Sequence, residues 1–358
     1  MKNKVDIVMP TLIRNIDWLR QSTESVINQP EVQNIFIVVD EIAFSKISEL
    51  KKIGFQSNVK IIKSEGHGIA HGVNTGIKQV ESEFIGRLDD DDISAMGRFK
   101  LQIDEIKKYD CDLVFSSLNF IDPLGNISSN IAHQEYSGDF WKDALVFGNF
   151  LNHSTLLGKT DFIQNSNLYP LDIRSEDYGF WLSIALNTKI RTLAEELYSY
   201  RQHNQQYTKN RIEKDPNSIN YNLWKNFGIK LKIPIDLLSL NNFYTLTTND
   251  ETENSIFELF LELIKRLDNF DKDKENFWVL KLLNKLLDKN FAFKAIQNIN
   301  VSSMEQLVST LLMSAKNDRR KISDLGEIGY DLQQQILNMN SKNKSFLRKI
   351  KSLALLKK

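Results

Sequence analysis

Four consecutive aspartates, Asp89-Asp90-Asp91-Asp92, directly follow the short apolar run at residues 84–88. The apolar run predicts a buried strand, so the carboxylates emerge at its carboxyl end, where open α/β sheets bind ligands. Four adjacent like charges repel one another at such a sheet edge. A divalent cation removes that cost, because Mg²⁺ and Mn²⁺ bind carboxylate oxygens and also contact phosphates. The run therefore predicts a cation site, and the alternative is a solvated acidic turn.

Strands and helices alternate through the first hundred residues. The predicted strands are residues 5–9, 35–39, 59–62 and 84–88. Apolar residues at helical spacing predict a helix in each interval. The residues that mark these helices are Leu19, Thr23 and Val26, then Ile47 and Leu50 behind a Ser45 cap, then Ala70, Val73, Ile77 and Val80. This order predicts an α/β fold of Rossmann-like type, with a mostly parallel sheet and helices on both faces.

The remainder of the chain is less regular. A strand is predicted at residues 113–115, a turn at residues 122–126, and helices at residues 139–146 and from Ser175 onward. Beyond about residue 215, Leu, Lys and Asn dominate at helical spacing. Because 358 residues are long for one compact domain, we expect an α/β domain over residues 1–215 and a helical C-terminal region over residues 216–358.

Composition argues against several classes of function. The net charge is zero, which argues against a general attraction to nucleic acid. The single cysteine, Cys111, excludes an internal disulfide and a cysteine-rich zinc site, and its place beside a predicted strand indicates a structural thiol. Residues 1–4 lead into a strand without a signal peptide, and no apolar run reaches the roughly 18 residues that span a bilayer. We therefore expect a cytoplasmic protein.

Polar or small residues follow each of the other predicted strands. Pro10 ends the first strand, and Arg14 can bind a phosphate through two hydrogen bonds, although a surface arginine is the simpler alternative. After the second strand, Asp40 or the adjacent Glu41 can accept a hydrogen bond from a base or ribose, and a turn or helix cap is the alternative. The glycines at residues 66–76 do not have the spacing of the Rossmann dinucleotide-binding motif. We expect the small residues of this segment to let a helix approach a bound nucleotide instead.

Taken together, these segments resemble one known family. The matching residues are Pro10-Thr11, Asp40, Gly68, Ala70, Asn74, Gly76, Leu88-Asp89-Asp90-Asp91-Asp92, the turn at residues 122–126, Asn152-His153-Ser154-Thr155, Glu176-Asp177-Tyr178-Gly179-Phe180-Trp181-Leu182 and Tyr200-Arg201-Gln202-His203. Each motif is common, but their number, order and spacing over about residues 4–208 are specific. The chain resembles the family 2 inverting glycosyltransferases of the GT-A fold, of the type that builds bacterial surface polysaccharides.

The resemblance implies a role for each matching position. Asp91 stands where the family's DxD motif binds a metal ion, Mn²⁺ or Mg²⁺, with Asp89 nearer the ribose and the metal. His203 matches a histidine that completes the metal site in some members and contacts the diphosphate in others. Asp177 is implied as the general base, in the family's acidic pair with Glu176. The positions implied to bind the nucleotide sugar are Pro10, Thr11, Arg14, Asp40, Gly68, Asn74, Asp89, Asp90 and Arg201.

The chain departs from the family pattern after its second strand. Asp40-Glu41 replaces the usual pair of aspartates, so either acid is a candidate for the contact to the base. Ile42-Ala43 replaces the usual Gly-Ser, so we expect the loop to differ there.

The same residues suit glycosyl transfer on chemical grounds. Transfer from a sugar nucleotide needs a cation to stabilise the departing diphosphate, and one carboxylate to take the proton of the attacking hydroxyl. Direct attack opposite the leaving group inverts the configuration, whereas a retaining double displacement needs a second, nucleophilic carboxylate. At a helix start the dipole keeps Asp177 ionised, although simple helix capping is the alternative role for Glu176 and Asp177.

The preferred hypothesis is a metal-dependent enzyme that moves a sugar from a UDP-hexose or UDP-N-acetylhexosamine to a saccharide acceptor in O-antigen, capsule or lipopolysaccharide synthesis. One alternative, a non-catalytic sugar-nucleotide or glycan-binding module, is disfavoured by the intact acidic pair. The other, a nucleotidyltransferase, is disfavoured because residues 10–15 contain no glycine. Residues 342–358 contain seven basic residues and no acidic one. They predict either attachment to an anionic membrane surface, with a lipid-diphosphate-linked acceptor, or a solvated helix end.

Overall fold

The computed structural model describes residues 2–131, 136–137, 145, 149, 151–171, 175–204 and 230. The chain divides into two compact units, Met1–Phe227 and Gly228–Lys358. Apart from Leu145 and Lys230, three predicted segments lie outside the described residues: the helix at 139–146, the helical region from 216 and the basic segment at 342–358. These segments and the domain boundary at residue 215 stay predictions. Within the described ranges, no helix is long and apolar enough to cross a membrane.

Ten strands and six α-helices make up the described part of the chain. The strands are β1 (Val5–Thr11), β2 (Val32–Val39), β3 (Val59–Lys63), β4 (Phe84–Arg87), β5 (Ile93–Ser94), β6 (Leu113–Ile121), β7 (Ile127–Ile131), β8 (Tyr136–Ser137), β9 (Leu157–Lys159) and β10 (Ile190–Arg201). The α-helices are α1 (Ile16–Ile27), α2 (Ile47–Lys51), α3 (Ile69–Ile77), α4 (Arg98–Tyr109), α5 (Thr160–Gln164) and α6 (Glu176–Ile184). Short 3₁₀ helices lie at Glu41–Lys46, His153–Thr155 and Ala185–Asn187.

The strands form one sheet in the order β3-β2-β1-β4-β9-β6-β10-β5, with β7 paired to β6 and β8 to β10. Strands β3, β2, β1 and β4 are parallel neighbours, and β6 is parallel to β10. Because β9 is antiparallel to both β4 and β6, those two strands point the same way. The predicted mostly parallel sheet is confirmed. Among the described strands, β5, β7, β8 and β9 are antiparallel to their neighbours. Three of them, β5, β8 and β9, have only two or three residues each, too few to show a period in the sequence, whereas β7 has five.

The helix faces predicted from residue spacing pack against the sheet. In α1, Leu19, Thr23 and Val26 are fully buried. Asn15 caps the start of this helix, because its side-chain oxygen accepts hydrogen bonds from two backbone N–H groups of the first turn at 3.0 and 3.1 Å. In α3, the predicted stripe residues Ala70, Val73 and Ile77 are buried. Val80, the last residue of the predicted stripe, is also buried but lies beyond the end of the helix at Ile77. These faces therefore fix both helices on the sheet.

Two glycines of α3 allow this helix to lie directly on strand β1. A methyl group added at Gly76 would be 2.5 Å from Cγ1 of Val8, and one added at Gly72 would be 2.9 Å from Cβ of Pro10. Both distances are shorter than carbon atoms tolerate, so a larger residue would push the helix away from the strand. The sequence predicts that small residues let this helix approach a bound nucleotide. At Gly72 and Gly76 the helix instead approaches strand β1.

The second helical segment begins earlier than predicted. A 3₁₀ helix over Glu41–Lys46 precedes α2, and the carboxylate of Asp40 caps it by accepting a hydrogen bond from the N–H of Ile42 at 3.1 Å. Ser45 therefore lies inside the segment, and the predicted cap at Ser45 was wrong. The physical reason is that Asp40, at the end of β2, already provides the acceptor for the first free N–H groups.

Candidate active site

The order of the strands creates a crevice between β1 and β4. The chain runs from β1 through β2 to β3 and then returns to β4 on the other side of β1. In open α/β sheets, ligands bind at such a reversal, outside the carboxyl ends of the strands. Thr11 ends β1 and Asp90 follows β4, and the Thr11 hydroxyl donates a hydrogen bond to the Asp90 carboxylate across the reversal. The acidic run thus lies where the sequence predicts a ligand site.

Asp92 is the structural member of the acidic run. It is fully buried and accepts hydrogen bonds from the Tyr198 hydroxyl at 2.9 Å and from the backbone N–H of Arg201 at 2.7 Å. Burial and the charges of Asp91 and Asp89 raise the pKa of Asp92 well above its usual range. Its carboxyl group therefore joins the loop after β4 to the end of β10 and faces the protein interior.

The other three aspartates surround the crevice. Asp89 accepts a hydrogen bond from the guanidinium group of Arg87 at 2.7 Å. Burial, followed by the charge of Asp91, raises the pKa of Asp90 to about 7, although the hydrogen bond from Thr11 opposes this. Burial, followed by the charge of Asp89, raises the pKa of Asp91 to about 7 as well. These carboxylates repel one another, which a bound cation would relieve.

His203 lies against Asp91 at the end of β10. Its Nε2 atom is 2.8 Å from Oδ2 of Asp91. The Trp18 ring covers the imidazole, with ring centroids 4.6 Å apart and planes tilted by 43°. Arg201, which the resemblance places against the nucleotide sugar, is buried and donates to the backbone oxygen of Asp91 at 2.7 Å and to that of Pro123 at 3.1 Å. The guanidinium group of Arg201 therefore joins the loop that carries Asp91 to the turn at residues 122–126.

Asp91 and His203 are the described pair best suited to a divalent cation. Among the residues that the structure describes, no three His, Cys, Asp or Glu side chains converge so as to hold a metal ion alone. Asp89, the other predicted ligand, is paired with Arg87. Mg²⁺ and Mn²⁺ commonly take one or two protein ligands and complete their shell with phosphate oxygens and water. The donor set therefore fits a cation that binds together with a diphosphate.

Asp40 holds the loop that leads into α3. Its carboxylate accepts hydrogen bonds from the N–H groups of Ile42 at 3.1 Å and Gly68 at 2.8 Å, and both its oxygens lie 3.0 Å from Nδ1 of His67. Burial opposes ionisation of Asp40, but these hydrogen bonds outweigh it and lower the pKa of the carboxyl below its usual value. Gly68 has a φ of +102°, which only glycine adopts readily. Asp40 is thus an ionised anchor for this loop.

Asp177 lies in the first turn of α6, and Glu176 beside it is buried. Oδ2 of Asp177 accepts a hydrogen bond from the side-chain amide of Asn149 at 2.6 Å, and Oδ1 accepts one from the N–H of Tyr178 at 2.8 Å. Oδ1 of Asn149 accepts in turn from the N–H of Leu151 at 3.3 Å. These contacts set the orientation of both side chains.

A group of aromatic rings supports the start of α6. Tyr169 stacks on Phe180 with ring centroids 4.2 Å apart, and its hydroxyl lies 3.0 Å from Nε2 of His153. Burial, followed by the charge of Arg87, lowers the pKa of His153 well below its usual value, so the ring is neutral. Asn74, a predicted nucleotide-sugar contact, instead exchanges two hydrogen bonds with the backbone of Tyr169, at 2.7 and 3.0 Å. Asn74 thereby positions the Tyr169 loop.

One cleft of about 490 Å³ joins these parts, a volume typical of small-ligand sites. The predicted residues that line it are Pro10, Thr11, Arg14, Asp40, Gly68, Asp89, Asp90, Asp91, Glu176 and Asp177. The predicted residues outside its lining are Asn74, Arg201 and His203. His67, Asn149 and His153 also line it, and the sequence assigned none of them a role at the site. For His153 the motif Asn152-His153-Ser154-Thr155 was an available signal, whereas Asn149 belongs to no motif that we recognised.

Comparisons with known proteins identify the family of this chain. The model of the family described as "Glycosyl transferase family 2" matches residues 6–150. An uncharacterized glycosyltransferase of Methanocaldococcus jannaschii is 30% identical over 236 residues, 63% of this chain and 81% of that protein. The Escherichia coli O-antigen biosynthesis glycosyltransferase WbnJ is 27% identical over 53% of this chain and 77% of WbnJ. A second E. coli protein, named UDP-Glc:alpha-D-GlcNAc-diphosphoundecaprenol beta-1,3-glucosyltransferase WfgD, is 24% identical over 53% of this chain and 72% of WfgD.

A solved structure shares the fold. The crystal structure of residues 1–349 of S. aureus TarS in complex with UDP-GlcNAc superposes with a TM-score of 0.52 at 13% identity, covering 99% of this chain and 90% of that one. This likeness confirms the predicted GT-A fold. The identity of 30% over 81% of the Methanocaldococcus protein, with the family model, shows that the chain belongs to glycosyl transferase family 2 and is a glycosyltransferase.

Proposed function

We propose that this enzyme moves a sugar from a UDP-sugar to a hydroxyl group of a saccharide acceptor, with inversion at the anomeric carbon and with Mn²⁺ or Mg²⁺ beside the diphosphate. One observation carries the proposal: Asp89, Asp90 and Asp91 line the same cleft as Asp177. The diphosphate leaves from the anomeric carbon of the sugar, and the acceptor hydroxyl attacks the same atom. The residues that bind the diphosphate and the residue that takes the hydroxyl proton must therefore line the same cleft.

The names of relatives support the choice of substrates. WfgD is named for a UDP-Glc donor and a diphosphoundecaprenol-linked acceptor, WbnJ is named for O-antigen biosynthesis, and TarS was crystallised with UDP-GlcNAc. For this chain we therefore propose a UDP-hexose or UDP-N-acetylhexosamine donor and a lipid-diphosphate-linked saccharide acceptor in bacterial surface-polysaccharide synthesis. Attachment of the basic segment at residues 342–358 to an anionic membrane surface would bring the enzyme to such an acceptor.

At the donor end, Asp91 and His203 would hold the cation, with Asp89 and Asp90 next to it. When bound, the cation supplies positive charge to the diphosphate as its bond to the sugar breaks. Arg14 lines the cleft with an exposed side chain, from which its guanidinium group can donate two hydrogen bonds to a phosphate. These residues bind and orient the leaving group.

At the acceptor end, Asp177 takes the proton. The acceptor oxygen forms its bond to the anomeric carbon while the bond from that carbon to the diphosphate breaks, and the electron pair of that bond leaves with the diphosphate. The hydroxyl proton moves to the Asp177 carboxylate, which Asn149 and the N–H of Tyr178 hold in place. A single displacement of this kind inverts the configuration and needs no carboxylate nucleophile.

The proposal is tested by incubating the full chain, with Mn²⁺ or Mg²⁺, with a panel of UDP-, GDP- and CDP-sugars and saccharide acceptors. Mass spectrometry would follow the released nucleotide and the extended acceptor. We expect UDP and a product one sugar heavier, with the opposite anomeric configuration by NMR.

Two other outcomes would replace the proposal. Nucleotide-sugar binding without any release, with every donor and acceptor, would indicate a binding module. Release of pyrophosphate in a parallel incubation with nucleoside triphosphates and sugar phosphates would indicate a nucleotidyltransferase.

A further inference from the structure

His67 occupies an unusual place beside Asp40, the residue expected to contact the base or ribose. The Asp40 side chain is only 8% exposed, whereas that of His67 is 58% exposed and lines the cleft. Each Asp40 oxygen already accepts a hydrogen bond from a backbone N–H, of Ile42 or of Gly68, in addition to the contact with His67. Most of the hydrogen-bonding capacity of the carboxylate is therefore used within the protein, and the ring of His67 is the more exposed of the two groups at this part of the cleft.

This arrangement determines which ring nitrogen of His67 carries the hydrogen. Asp40 is ionised at neutral pH, because its pKa is lowered, and an ionised carboxylate can only accept hydrogen bonds. Nδ1 of His67, 3.0 Å from both Asp40 oxygens, must then be the donor. In the neutral imidazole the other nitrogen, Nε2, carries a lone pair and accepts.

The position of His67 matches the base end of a nucleotide. The site near Asp40 lies at the end of β2, and Asp91 lies beyond the end of β4, which is two strands away. Neighbouring strands are about 4.8 Å apart, so the two ends are roughly 10 Å apart along the sheet edge. That span suits a nucleoside diphosphate with its phosphates near Asp91 and its base near His67.

We propose that His67, held in its Nδ1–H form by Asp40, recognises the base by accepting a hydrogen bond at Nε2 from ring position 3 of uracil. Uracil carries an N–H at this position, whereas cytosine carries a bare nitrogen that would face the His67 lone pair. This inference rests on the proposed use of a UDP-sugar and adds the residue that selects the base. A buried or partly buried polar group left without its partner weakens binding by about tenfold or more.

The test is the ratio of the Kd values for CDP and UDP, measured by calorimetry with the full chain and excess Mn²⁺. Wild-type protein should prefer UDP by about tenfold or more. His67→Ala should bring the ratio close to one, mainly by weakening UDP. His71→Ala is the matched control, because the His71 ring lies beside Gly66 and does not line the cleft. It should keep the wild-type ratio.

The two nucleotides share their ribose and diphosphate, so a loosened loop would weaken both and leave the ratio unchanged. A wild-type ratio near one, or an unchanged ratio in His67→Ala, would overturn the assignment of His67 without touching the transfer chemistry. Wild-type protein that binds neither nucleotide would overturn the proposed function itself. Nitrogen-15 NMR of the imidazole provides a second measurement: we expect the Nδ1–H form for His67, and the Nε2–H form would overturn the inference.

Discussion

The side-chain amide of Asn149 donates a hydrogen bond to Oδ2 of Asp177 at 2.6 Å, while its own oxygen accepts from the N–H of Leu151 at 3.3 Å. Because the N–H of Leu151 bonds to the oxygen of the Asn149 amide, the nitrogen of that amide is the end that faces Asp177. The hydrogen bond from this nitrogen then fixes the orientation of the Asp177 carboxylate, which we propose as the base. Asn149 is thus a positioning residue, which acts on the reaction through Asp177.

Replacing Asn149 should therefore slow turnover more than it weakens donor binding. We expect Asn149→Ala to lower kcat by about tenfold, since a misoriented base loses part of its contribution, with little change in the KM for the donor. Steady-state kinetics with the UDP-sugar varied measure both. Asn165→Ala, at an exposed asparagine of another loop, is the control. Equal losses in kcat and donor affinity would show that Asn149 only supports the fold.

Asp91 should link metal and nucleotide binding. We expect Asp91→Asn to weaken UDP binding at least tenfold when Mn²⁺ is present, because the carboxylate lost is the one proposed to bind the cation. In EDTA, wild type and variant should bind UDP alike. Calorimetry of both proteins in both conditions gives the four affinities, and Asp104→Asn, at an exposed site on α4, is the control. If Mn²⁺ strengthens UDP binding by the variant as much as by wild type, Asp91 is not the cation ligand that we propose.

Asp92, one residue further along, should affect stability and not the cation. Asp92→Ala removes the acceptor for the Tyr198 hydroxyl and the Arg201 N–H, both of which are buried. Leaving such groups unpaired costs about 1–3 kcal/mol, so the free energy of unfolding should fall by about that amount. Urea titration followed by circular dichroism measures it. A neutral effect on stability would show that the buried contact is replaced by water.

Cys111 should be unreactive in the folded protein. Burial is the main cause that raises the pKa of its thiol, to about 11. Because a raised thiol pKa means that the thiolate forms only at higher pH, only about one thiol in a thousand is ionised at pH 8. An aromatic disulfide reagent should therefore react slowly with the native chain and fully after denaturation. Since Cys111 is the only cysteine, rapid reaction at pH 8 without denaturant would show that this strand edge is open.

The location of the acidic cluster follows from the sequence because two strong local signals coincide there. Four of the five residues at 84–88 are apolar or small, which predicts a buried strand, and the aspartates that follow are therefore predicted at the carboxyl end of that strand. The face of α1 that contains Leu19 is confirmed for a similar reason, since apolar residues repeated at helical spacing all fall on one side of a helix, which then packs on the core. Such inferences need only residues close together in the chain.

Other features depend on contacts that sequence spacing does not encode. Asn149 reaches Asp177 across 28 positions, and Asn74 reaches Tyr169 across 95. The predicted cap at Ser45 failed because a stronger acceptor, Asp40, lay five positions earlier, and the role of Asp40 depends in turn on His67. Arg201 and Asn74 were assigned to the nucleotide sugar by resemblance, but in the structure both side chains form hydrogen bonds within the protein. Asn74 bonds to the backbone of Tyr169, and Arg201 bonds to backbone oxygens and to the side chain of Gln21. Polar side chains have several possible partners, and only the fold selects among them.

The most direct test of the central claim compares wild type and Asp177→Asn for transfer from a UDP-sugar and for binding of UDP with Mn²⁺. We expect the variant to bind UDP as wild type does, because we propose that the diphosphate binds at the Asp91 end of the cleft. We expect its rate of transfer to fall by a factor on the order of 10² to 10⁴, the usual contribution of a positioned base. Transfer by Asp177→Asn at the wild-type rate would contradict the account and move the search for the base to Glu176.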